Sequence, residues 1–540
     1  MTDSPRSEQI ITAQRIIPMS GREPEAILCR GEWIVGSGDL AAMREAHPHA
    51  EIVDFPAATI VPGFNDAHQH PTIRAEQAMQ IDLSPERITG LADLQAVLRE
   101  RTTRTPNGQW ILGYGYDFQR SNGGRQLQRD DIDCVSPDNP VLIVSVTLHS
   151  GTLNTRGLEL AKLHTAADTP SGGELGVDAS GHLTGVVVDQ ALYDLAFPAF
   201  TRRPTVVPSP LPSDLEENLK AYFTELHAAG ITSVGDALVG PASWNLLSSI
   251  DARGELTARV NALGAYDHLD FFRAVETFNV SPTARLRLGG IKAFADGAVN
   301  GGTCLVDTPV CGETGHGMER VSAAQLIDIV REVHDLGQRA CVHANGDRAI
   351  RYVLDAIENA QEINPRPDPR HRIEHTSIVT SVIVKRMHEL GVVAVPFAAY
   401  ARAHGDKLRK FYEPDRIEWM FAHRALLNGQ VVVAGSSDYP CGPYEPLLAM
   451  ESCVTRTDAT GRVFGGSQRI TAGEALGLYT TGSAYASGEE ATKGKLIPGY
   501  LADFVALESD PLSVSPDQLS EINVLETWIG ARPVWTRQFP

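Results

Sequence analysis

The chain has 540 residues, of which 42% are hydrophobic, and its formal net charge at pH 7 is −20. This length provides for one large domain and a smaller one, each able to bury a core. The acidic balance, without any block of lysine or arginine, argues against nucleic acid and anionic membranes as partners and favours a small-molecule substrate.

The two ends of the chain have similar sequence patterns. Residues 1–57 contain the runs IITAQRI, AILCRGEWIVGSG and AEIVDF, separated by glycine, proline and charged residues, and residues 491–540 contain LADFVAL and NVLETWIG. Short strands bounded by turn residues are typical of antiparallel sheets. We therefore predict that both termini pair into one small β-sandwich domain.

Residues 58–490 alternate apolar runs with helical patterns. Amphipathic spacing predicts helices at 214–230, 322–337 and 381–391. Strand runs separated by helices indicate a parallel α/β fold. Eight such runs predict a (β/α)8 TIM-like barrel, with an insertion at about residues 75–220 after the first strand. The predicted strands are 58–64, 230–236, 259–265, 289–297, 339–347, 372–377, 392–397 and 431–440.

Cysteine usage and the absence of a targeting segment bear on location. Seven cysteines are scattered along the chain without a C-x-x-C pair, which is typical of a reducing compartment. The first residues lack the basic stretch and apolar core of a signal peptide, and no run approaches the roughly 18 apolar residues that span a bilayer. We expect a soluble cytoplasmic protein.

The segment VPGFNDAHQH ends in two histidines, His68 and His70. Alternate residues of a strand point to the same face, so both could bind one cation, although solvated or capped core histidines produce the same pattern. In (β/α)8 barrels the catalytic groups lie at the carboxyl ends of the strands. Nitrogen and oxygen ligands there suit zinc, manganese, cobalt or iron rather than calcium. The other candidates at predicted strand ends are Lys292, His343, His375 and Asp438.

Lys292 and Asp438 each allow both structural and functional interpretations. A lysine inside a barrel is costly to bury unless it is paired or neutral. It either forms an ion pair with Asp296, or extends its tip to solvent, or reacts with carbon dioxide to give a carbamate that bridges two metals. Asp438, in SSDYP, either caps a turn or acts as a ligand and proton carrier at the end of the run VVVAG.

The stretches PGFNDAHQHP, KAFADG, HANGDRA, RIEHTS and GSSDYP, with the tail ITAGEALGLYTTGSAYASG, resemble the amidohydrolase superfamily. Within it they resemble amidohydrolase family 3, which includes N-substituted formamide deformylases, over nearly the whole chain. The resemblance implies a metal-containing barrel beside a split β-sandwich and two divalent cations per chain, zinc first, with manganese, cobalt or iron as alternatives. It implies one metal on His68 and His70, a second on His343 and His375, carbamylated Lys292 as the bridge, and Asp438 as ligand and proton carrier.

The predicted activity is metal-dependent hydrolysis of a C–N bond in a small amide, formamide, carbamate or cyclic amide. A metal-bridging hydroxide would attack, and Asp438 would act as general base and then general acid. A mononuclear deaminase of the same fold is the first alternative, but it would ordinarily carry a glutamate shortly after the strand-five histidine, where this chain reads HANGD. A non-catalytic metal-stabilised binding protein is the second, and it would be expected to have lost a ligand.

Candidate substrate-binding residues lie in the insertion and beside the strand ends. His149 and Tyr116 belong to the insertion, where a core or loop role is the commoner one. After KAFADG many relatives resemble SLGSRTA, whereas this chain reads AVNGGTCLVDTP and places Asn300 and Cys304 near the expected substrate. Tyr439, beside strand eight, suggests an apolar or aromatic substrate. The substrate, the metal, and whether the chain forms a homo-oligomer are left open.

Overall fold

The computed structural model describes residues 8–275, 280–312 and 314–538. No helix in these ranges is long and apolar enough to cross a membrane. The strands are β1 Glu8–Ile16, β2 Ala26–Arg30, β3 Trp33–Gly38, β4 Glu51–Pro62, β5 Phe64–Gln69, β6 Ile81–Asp82, β7 Ile111–Tyr116, β8 Val141–Ser145, β9 Ser150–Leu153, β10 Gly173–Val177, β11 Leu183–Asp189, β12 Ile231–Val239, β13 Arg259–Ala265, β14 Leu286–Phe294, β15 Ala340–Ala344, β16 Arg372–His375, β17 Val393–Pro396, β18 Phe504–Leu507, β19 Val524–Trp528 and β20 Pro533–Thr536. The helices are α1 Leu40–Ala46, α2 Pro71–Gln77, α3 Leu91–Arg104, α4 Phe118–Ser121, α5 Arg129–Asp133, α6 Thr155–Ala161, α7 Gln190–Ala196, α8 Pro212–Ala228, α9 Pro241–Ala252, α10 Leu269–Phe272, α11 Ala323–Asp335, α12 Asp347–Ile363, α13 Ser381–Glu389, α14 Tyr400–Phe411, α15 Pro414–Ile417, α16 His423–Asn428, α17 Pro446–Thr455, α18 Ala472–Gly477 and α19 Ser483–Ser487.

Seven parallel strands form most of a barrel, in the order β17, β16, β15, β14, β13, β12, β5. The eighth position is taken by residues 431–438, which make isolated bridges to β17 rather than a regular strand. This segment nevertheless pairs on both sides. Ala434 donates its N–H to the carbonyl of Ala394 at 2.9 Å, and Asp438 donates to the carbonyl of His68 at 2.8 Å. The predicted α/β barrel is therefore present and nearly closed.

The first barrel strand differs from the prediction. Within the predicted strand 58–64, residues 58–62 belong to β4, which pairs with β1 and β18 in a different sheet. The barrel strand is β5, which starts after Gly63. A side chain at Gly63 would meet Thr232 of β12 at 2.3 Å, so only glycine fits this crossing. Both segments are buried, but residues 58–62 are mostly apolar whereas β5, with the sequence FNDAHQ, is mostly polar. The apolar run therefore marks a strand of the terminal sheet and not the barrel strand.

The two ends of the chain form one seven-stranded sheet, in the order β20, β19, β18, β4, β1, β2, β3. β1 pairs in parallel with β4, and β4 pairs antiparallel with β18. Phe504 and Trp528 stack in its core with ring centroids 5.2 Å apart, beside Ile11 and Ile27. Through β4 this sheet leads directly into the first barrel strand.

A six-stranded sheet lies in the chain between the first two barrel strands, in the order β10, β11, β9, β8, β7, β6. One apolar cluster contains both Leu142 and Leu192 from this region and Phe397 and Tyr400 from the barrel loops. The sheet therefore packs over the carboxyl side of the barrel, where β17 ends.

Helices cover the outside of the barrel. The predicted helices at 214–230, 322–337 and 381–391 correspond to α8, α11 and α13. α11 begins at a capping box in which Ser322 and Gln325 satisfy each other's backbone N–H groups. Its buried residues, at helical spacing, pack into the main core around the strands. These residues are Leu326, Val330 and Val333.

Candidate metal centre

Six side chains with metal-binding chemistry meet at the carboxyl ends of the barrel strands. Each is at most 7% exposed. Parallel strands bring their carboxyl ends to one face, so residues far apart in the chain become neighbours. The residues, all predicted from the sequence, are His68 in β5, His70 just after it, Lys292 in β14, His343 in β15, His375 in β16 and Asp438 after the eighth segment.

The cluster is tightest around Asp438. Ligand atoms of His68, His375 and Asp438 all lie within 4.8 Å of one another. The Nε2 atoms of His68 and His70 are each 3.2 Å from Asp438 Oδ1. His343 lies next to His375, and their ring centroids are 4.5 Å apart. Four imidazoles and a carboxylate thus face one space.

Unusual backbone conformations help to place two of these ligands. His375, Thr376 and Asp438 have φ values of 71°, 42° and 55°, a region that costs non-glycine residues about 1–3 kcal/mol each. In a regular strand Glu374 and His375 would point to opposite faces. Here the backbone turns at His375, so that Glu374 contacts His68 while His375 approaches Asp438.

Glu374 is a member of the centre that sequence reasoning missed. It is fully buried, and its Oε2 accepts a hydrogen bond from His68 Nδ1 at 2.5 Å. Arg372 donates two more hydrogen bonds to its carboxylate, each 2.8 Å. Burial opposes ionisation, but Arg372 and His68 hold the pKa of Glu374 well below its usual range. Because Nδ1 of His68 donates its proton to this carboxylate, Nε2 of the neutral ring is free to bind a cation.

The signal for Glu374 lay in the run RIEH. Arg372 and Glu374 are alternate residues of a barrel strand and therefore share a face. Two opposite charges on one buried face are tolerated only as a pair, because an unpaired buried charge is costly. The pattern predicts the pair, but it does not reveal that His68 completes it.

Burial also sets the protonation of the histidines. It lowers the pKa of His70, His343 and His375, so these imidazoles are neutral at neutral pH, the form that binds metal. Burial alone would raise the pKa of Asp438. The neighbouring His375, His68 and His70 outweigh that effect and hold this pKa well below its usual range.

Lys292 does not pair with Asp296 within the described ranges. The Asp296 carboxylate instead accepts three backbone N–H groups at 2.8–2.9 Å, and burial raises its pKa to about 7. The Lys292 ammonium lies 4.8 Å from the ring centroid of Phe294. Burial lowers the pKa of Lys292 to about 8, although the charges of Glu374 and Asp438 act in the opposite direction.

A cavity opens onto the centre. Lys292 is the one lysine or arginine among the described residues that line it. Such a wall suits a neutral, apolar group beside the metal ligands. Its aromatic residues are Tyr193, Phe197, Phe200, Phe294, Phe397 and Tyr400.

Two of the five predicted substrate-binding residues line this cavity. His149 reaches in from the insertion, and its ring centroid is 5.2 Å from that of His343. Asn300 follows β14, and its buried Nδ2 has no hydrogen-bond partner among the described residues. Both offer a polar atom to the cavity beside its aromatic wall.

The other three predicted residues lie away from the lining of this cavity in the described structure. Tyr116 packs in an apolar cluster of the insertion sheet. Cys304 is buried, with its Sγ 3.1 Å from the hydroxyl of Tyr412. Tyr439 accepts a hydrogen bond from Arg74 at 3.1 Å and lines a neighbouring cavity instead. Adjacency to Asp438 in the sequence therefore does not place the Tyr439 side chain in the lining of this cavity.

Comparison with known proteins agrees with this geometry. The model of the amidohydrolase family matches residues 51–535. The chain is 28% identical over 534 residues to YtcJ of Bacillus subtilis (strain 168), whose name places it among the amidohydrolases, covering 96% of this chain and 97% of that one. It is 29% identical over 517 residues to the N-substituted formamide deformylase of Arthrobacter pascens, covering 94% of each. A crystal structure of an uncharacterized metal-dependent hydrolase from Pyrococcus horikoshii OT3 has the same fold, with a TM-score of 0.76, 23% identity, and coverage of 94% of this chain and 99% of that one.

Proposed function

This chain belongs to the amidohydrolase family, and we propose that it hydrolyses the C–N bond of a small amide with two divalent cations bound at the ends of the barrel strands. The observation that carries the proposal is the cluster of His68, His375 and Asp438 within 4.8 Å, with His70 and His343 beside it. The similarity to a deformylase that acts on N-substituted formamides supports a substrate with an N–C=O group. Other amides, carbamates and cyclic amides share that group.

The residues present fit divalent cations. His68 Nε2 and His70 Nδ1 are buried nitrogens without a hydrogen-bond partner among the described residues. His68 Nε2 does lie 3.2 Å from Asp438 Oδ1, but the angles of this contact are not those of a hydrogen bond. Buried polar atoms without partners are rare unless a ligand satisfies them. Imidazoles and a carboxylate suit zinc first, and manganese, cobalt or iron as well. We assign His68 and His70 to one metal, His343 and His375 to the other, and Asp438 as a further ligand.

We assign Lys292 as the bridging ligand after carbamylation. The neutral amine would attack the carbon of carbon dioxide, forming an N–C bond and releasing one proton to give a carbamate anion. The pKa of about 8 that burial imposes on Lys292 makes the neutral amine accessible near neutral pH. The carbamate would offer two oxygens as metal ligands and would remove the cost of a buried ammonium.

The chain's own residues would then orient the reactants and move the proton. Bound cations supply the polarisation of the amide carbonyl and lower the pKa of water towards neutrality. Asp438, ionised because three histidines surround it, accepts the water proton at Oδ1 and returns it to the leaving nitrogen. Glu374 holds the His68 ring through Nδ1. Phe397 and Tyr400, stacked 3.7 Å apart, form part of the wall that excludes bulk water.

The test combines metal content with amide hydrolysis on the same preparations. Protein from zinc- or manganese-supplemented cells, purified without chelator, is expected to hold two equivalents by plasma mass spectrometry. Lys292→Ala is expected to lose most of this metal. Lys407→Ala, which removes another buried lysine whose partner is Asp117, is expected to retain it and serves as the control.

Activity is measured by release of amine from formanilide, acetanilide, a phenyl carbamate and a cyclic amide. Turnover of at least one of these probes that requires the bound metal is expected. One equivalent of metal, equal in the wild type and Lys292→Ala, would overturn the bridged two-metal assignment. Absence of turnover for the whole panel by fully loaded protein would overturn the amide assignment.

A further inference from the structure

The insertion contributes a histidine–aspartate pair that faces the metal centre across the cavity. His149 Nδ1 lies 2.6 Å from Oδ1 of Asp189, which is fully buried. The hydroxyl of Tyr193 donates to the same oxygen at 3.1 Å. The Asp189 N–H in turn donates to the carbonyl of His149 at 2.8 Å. Both the ring and the backbone of His149 are therefore held in place.

The backbone of Asp189 is strained at this point. Its φ of 47° and ψ of −117°, between β11 and α7, are unfavourable for a residue with a side chain. Such strain persists where the surrounding structure requires it, and here it presents a carboxylate to His149. Burial opposes ionisation of Asp189, but the contact with His149 outweighs it and keeps the pKa of Asp189 below its usual value.

A carboxylate can only accept hydrogen bonds, so the proton of a neutral His149 ring must be on Nδ1. Nε2, on the opposite edge of the ring, then carries a lone pair. It makes no hydrogen bond to any described residue, and the ring lines the cavity with its centroid 5.2 Å from that of His343. The site therefore presents one fixed acceptor to a molecule bound beside the metal ligands.

We infer that His149 Nε2 accepts a hydrogen bond from the N–H of the substrate amide, with Asp189 as its positioning residue. The substrate class is then primary and secondary amides, because a fully substituted amide nitrogen has no proton to donate. A site built to pair a polar group discriminates against an analogue that lacks the group. This inference rests on the proposed amide hydrolysis and adds a selectivity to it.

The experiment compares formanilide with N-methylformanilide, which differ in this one proton. The ratio of their kcat/KM values is measured for the wild type, His149→Ala and Asp189→Asn, with metal content determined on each. We expect the preference for formanilide to fall about tenfold in His149→Ala, the size of one hydrogen bond, with metal content unchanged. Differences in intrinsic reactivity cancel, since the same two compounds are compared in every protein.

Three variants separate positioning from general damage. Asp189→Asn can donate to Nδ1 and so move the ring proton to Nε2, which turns the acceptor into a donor and is expected to abolish the preference. His149→Gln, whose Oε1 can accept in place of Nε2, is expected to retain part of it. His182→Ala removes an exposed histidine beside Asp178 in the same region and is expected to leave the ratio unchanged.

The outcomes distinguish this inference from the proposed function. Turnover of both probes with a ratio that His149→Ala does not change would overturn the inference alone. Loss of metal in His149→Ala would also overturn it, because the residue would then be a ligand. If the wild type hydrolyses neither probe, the proposed function fails for these amides, and the ratio of affinities measured by calorimetry decides the inference. Equal affinities, or no binding of either probe, would overturn it.

Discussion

Replacing Glu374 by glutamine tests whether the buried network behind His68 supports both the fold and the centre. The substitution keeps the volume but removes the charge that pairs with Arg372, which is itself fully buried. Breaking a buried ion pair by removing one partner costs about 3–5 kcal/mol. Because glutamine keeps one hydrogen-bond acceptor, we expect the free energy of unfolding to fall by the lower end of this range, about 3 kcal/mol. Loss of the carboxylate on His68 Nδ1 should weaken metal binding about 10- to 100-fold.

The assay is urea unfolding followed by tryptophan fluorescence, together with competition for zinc against a chromogenic chelator. Glu358→Gln is the matched control, since Glu358 pairs with Arg386 at 2.7 Å on the surface, where the side chains are 49% and 24% exposed. Exposed pairs contribute about 1 kcal/mol or less. If Glu374→Gln has the same free energy of unfolding and the same zinc affinity as Glu358→Gln, the buried network supports neither the fold nor the centre, and the reasoning from burial is wrong.

Three other perturbations test the centre and the surrounding fold. Asp438→Asn should lower kcat for a hydrolysed amide at least about 100-fold, because general acid–base catalysis contributes that much or more; more than a tenth of wild-type activity in steady-state assays would contradict the proton-carrier role. Removing metal with dipicolinate should abolish activity, and zinc with bicarbonate should restore it, whereas turnover by protein shown to be metal-free would refute metal dependence. Burial lowers the pKa of His227 in the folded protein to about 4, whereas its pKa in the unfolded chain is near 6.5. Between these two pH values the unfolded chain binds a proton that the folded protein does not bind. The free energy of unfolding should therefore be fully retained above pH 6.5 and be lower by about 2 kcal/mol at pH 5. Urea unfolding at pH 7.5 and 5 checks this, and an equal fall in His227→Gln would assign the loss to other groups.

The barrel could be predicted because its strands are short apolar runs separated by amphipathic helices. This signal fails where a barrel strand is buried but mostly polar, as β5 is. Residues 58–62 and β5 are both buried, yet the first pairs with the terminal sheet and the second with β12. Pairing partners that lie hundreds of residues away decide between them. The eighth segment was predicted as a strand from VVVAG, but it closes the barrel through isolated bridges.

The convergence of the candidate ligands could be predicted because their position at strand ends follows from the barrel topology. The residues that support them could not. Glu374 and His68 are 306 positions apart, and His149 and Asp189 are 40 apart in different strands or turns, so neither pair has a local spacing. Tyr116 was a candidate for substrate binding, but its side chain packs into the core of the insertion sheet, which is one of the commoner roles of a residue in such a segment.

Closure of the barrel and assembly of the centre depend on the same hydrogen bonds. Asp438 donates its N–H to the carbonyl of His68, and His70 donates to the carbonyl of Tyr439, at 2.8 and 2.9 Å. Ligands that lie about 370 positions apart in the chain are thus aligned by backbone pairing between the first strand and the eighth segment. Contacts of such long range form late, because the loop-closure entropy must be overcome first. The candidate metal centre is therefore assembled only when the barrel closes, and we expect any high-affinity metal binding during refolding to follow closure rather than precede it.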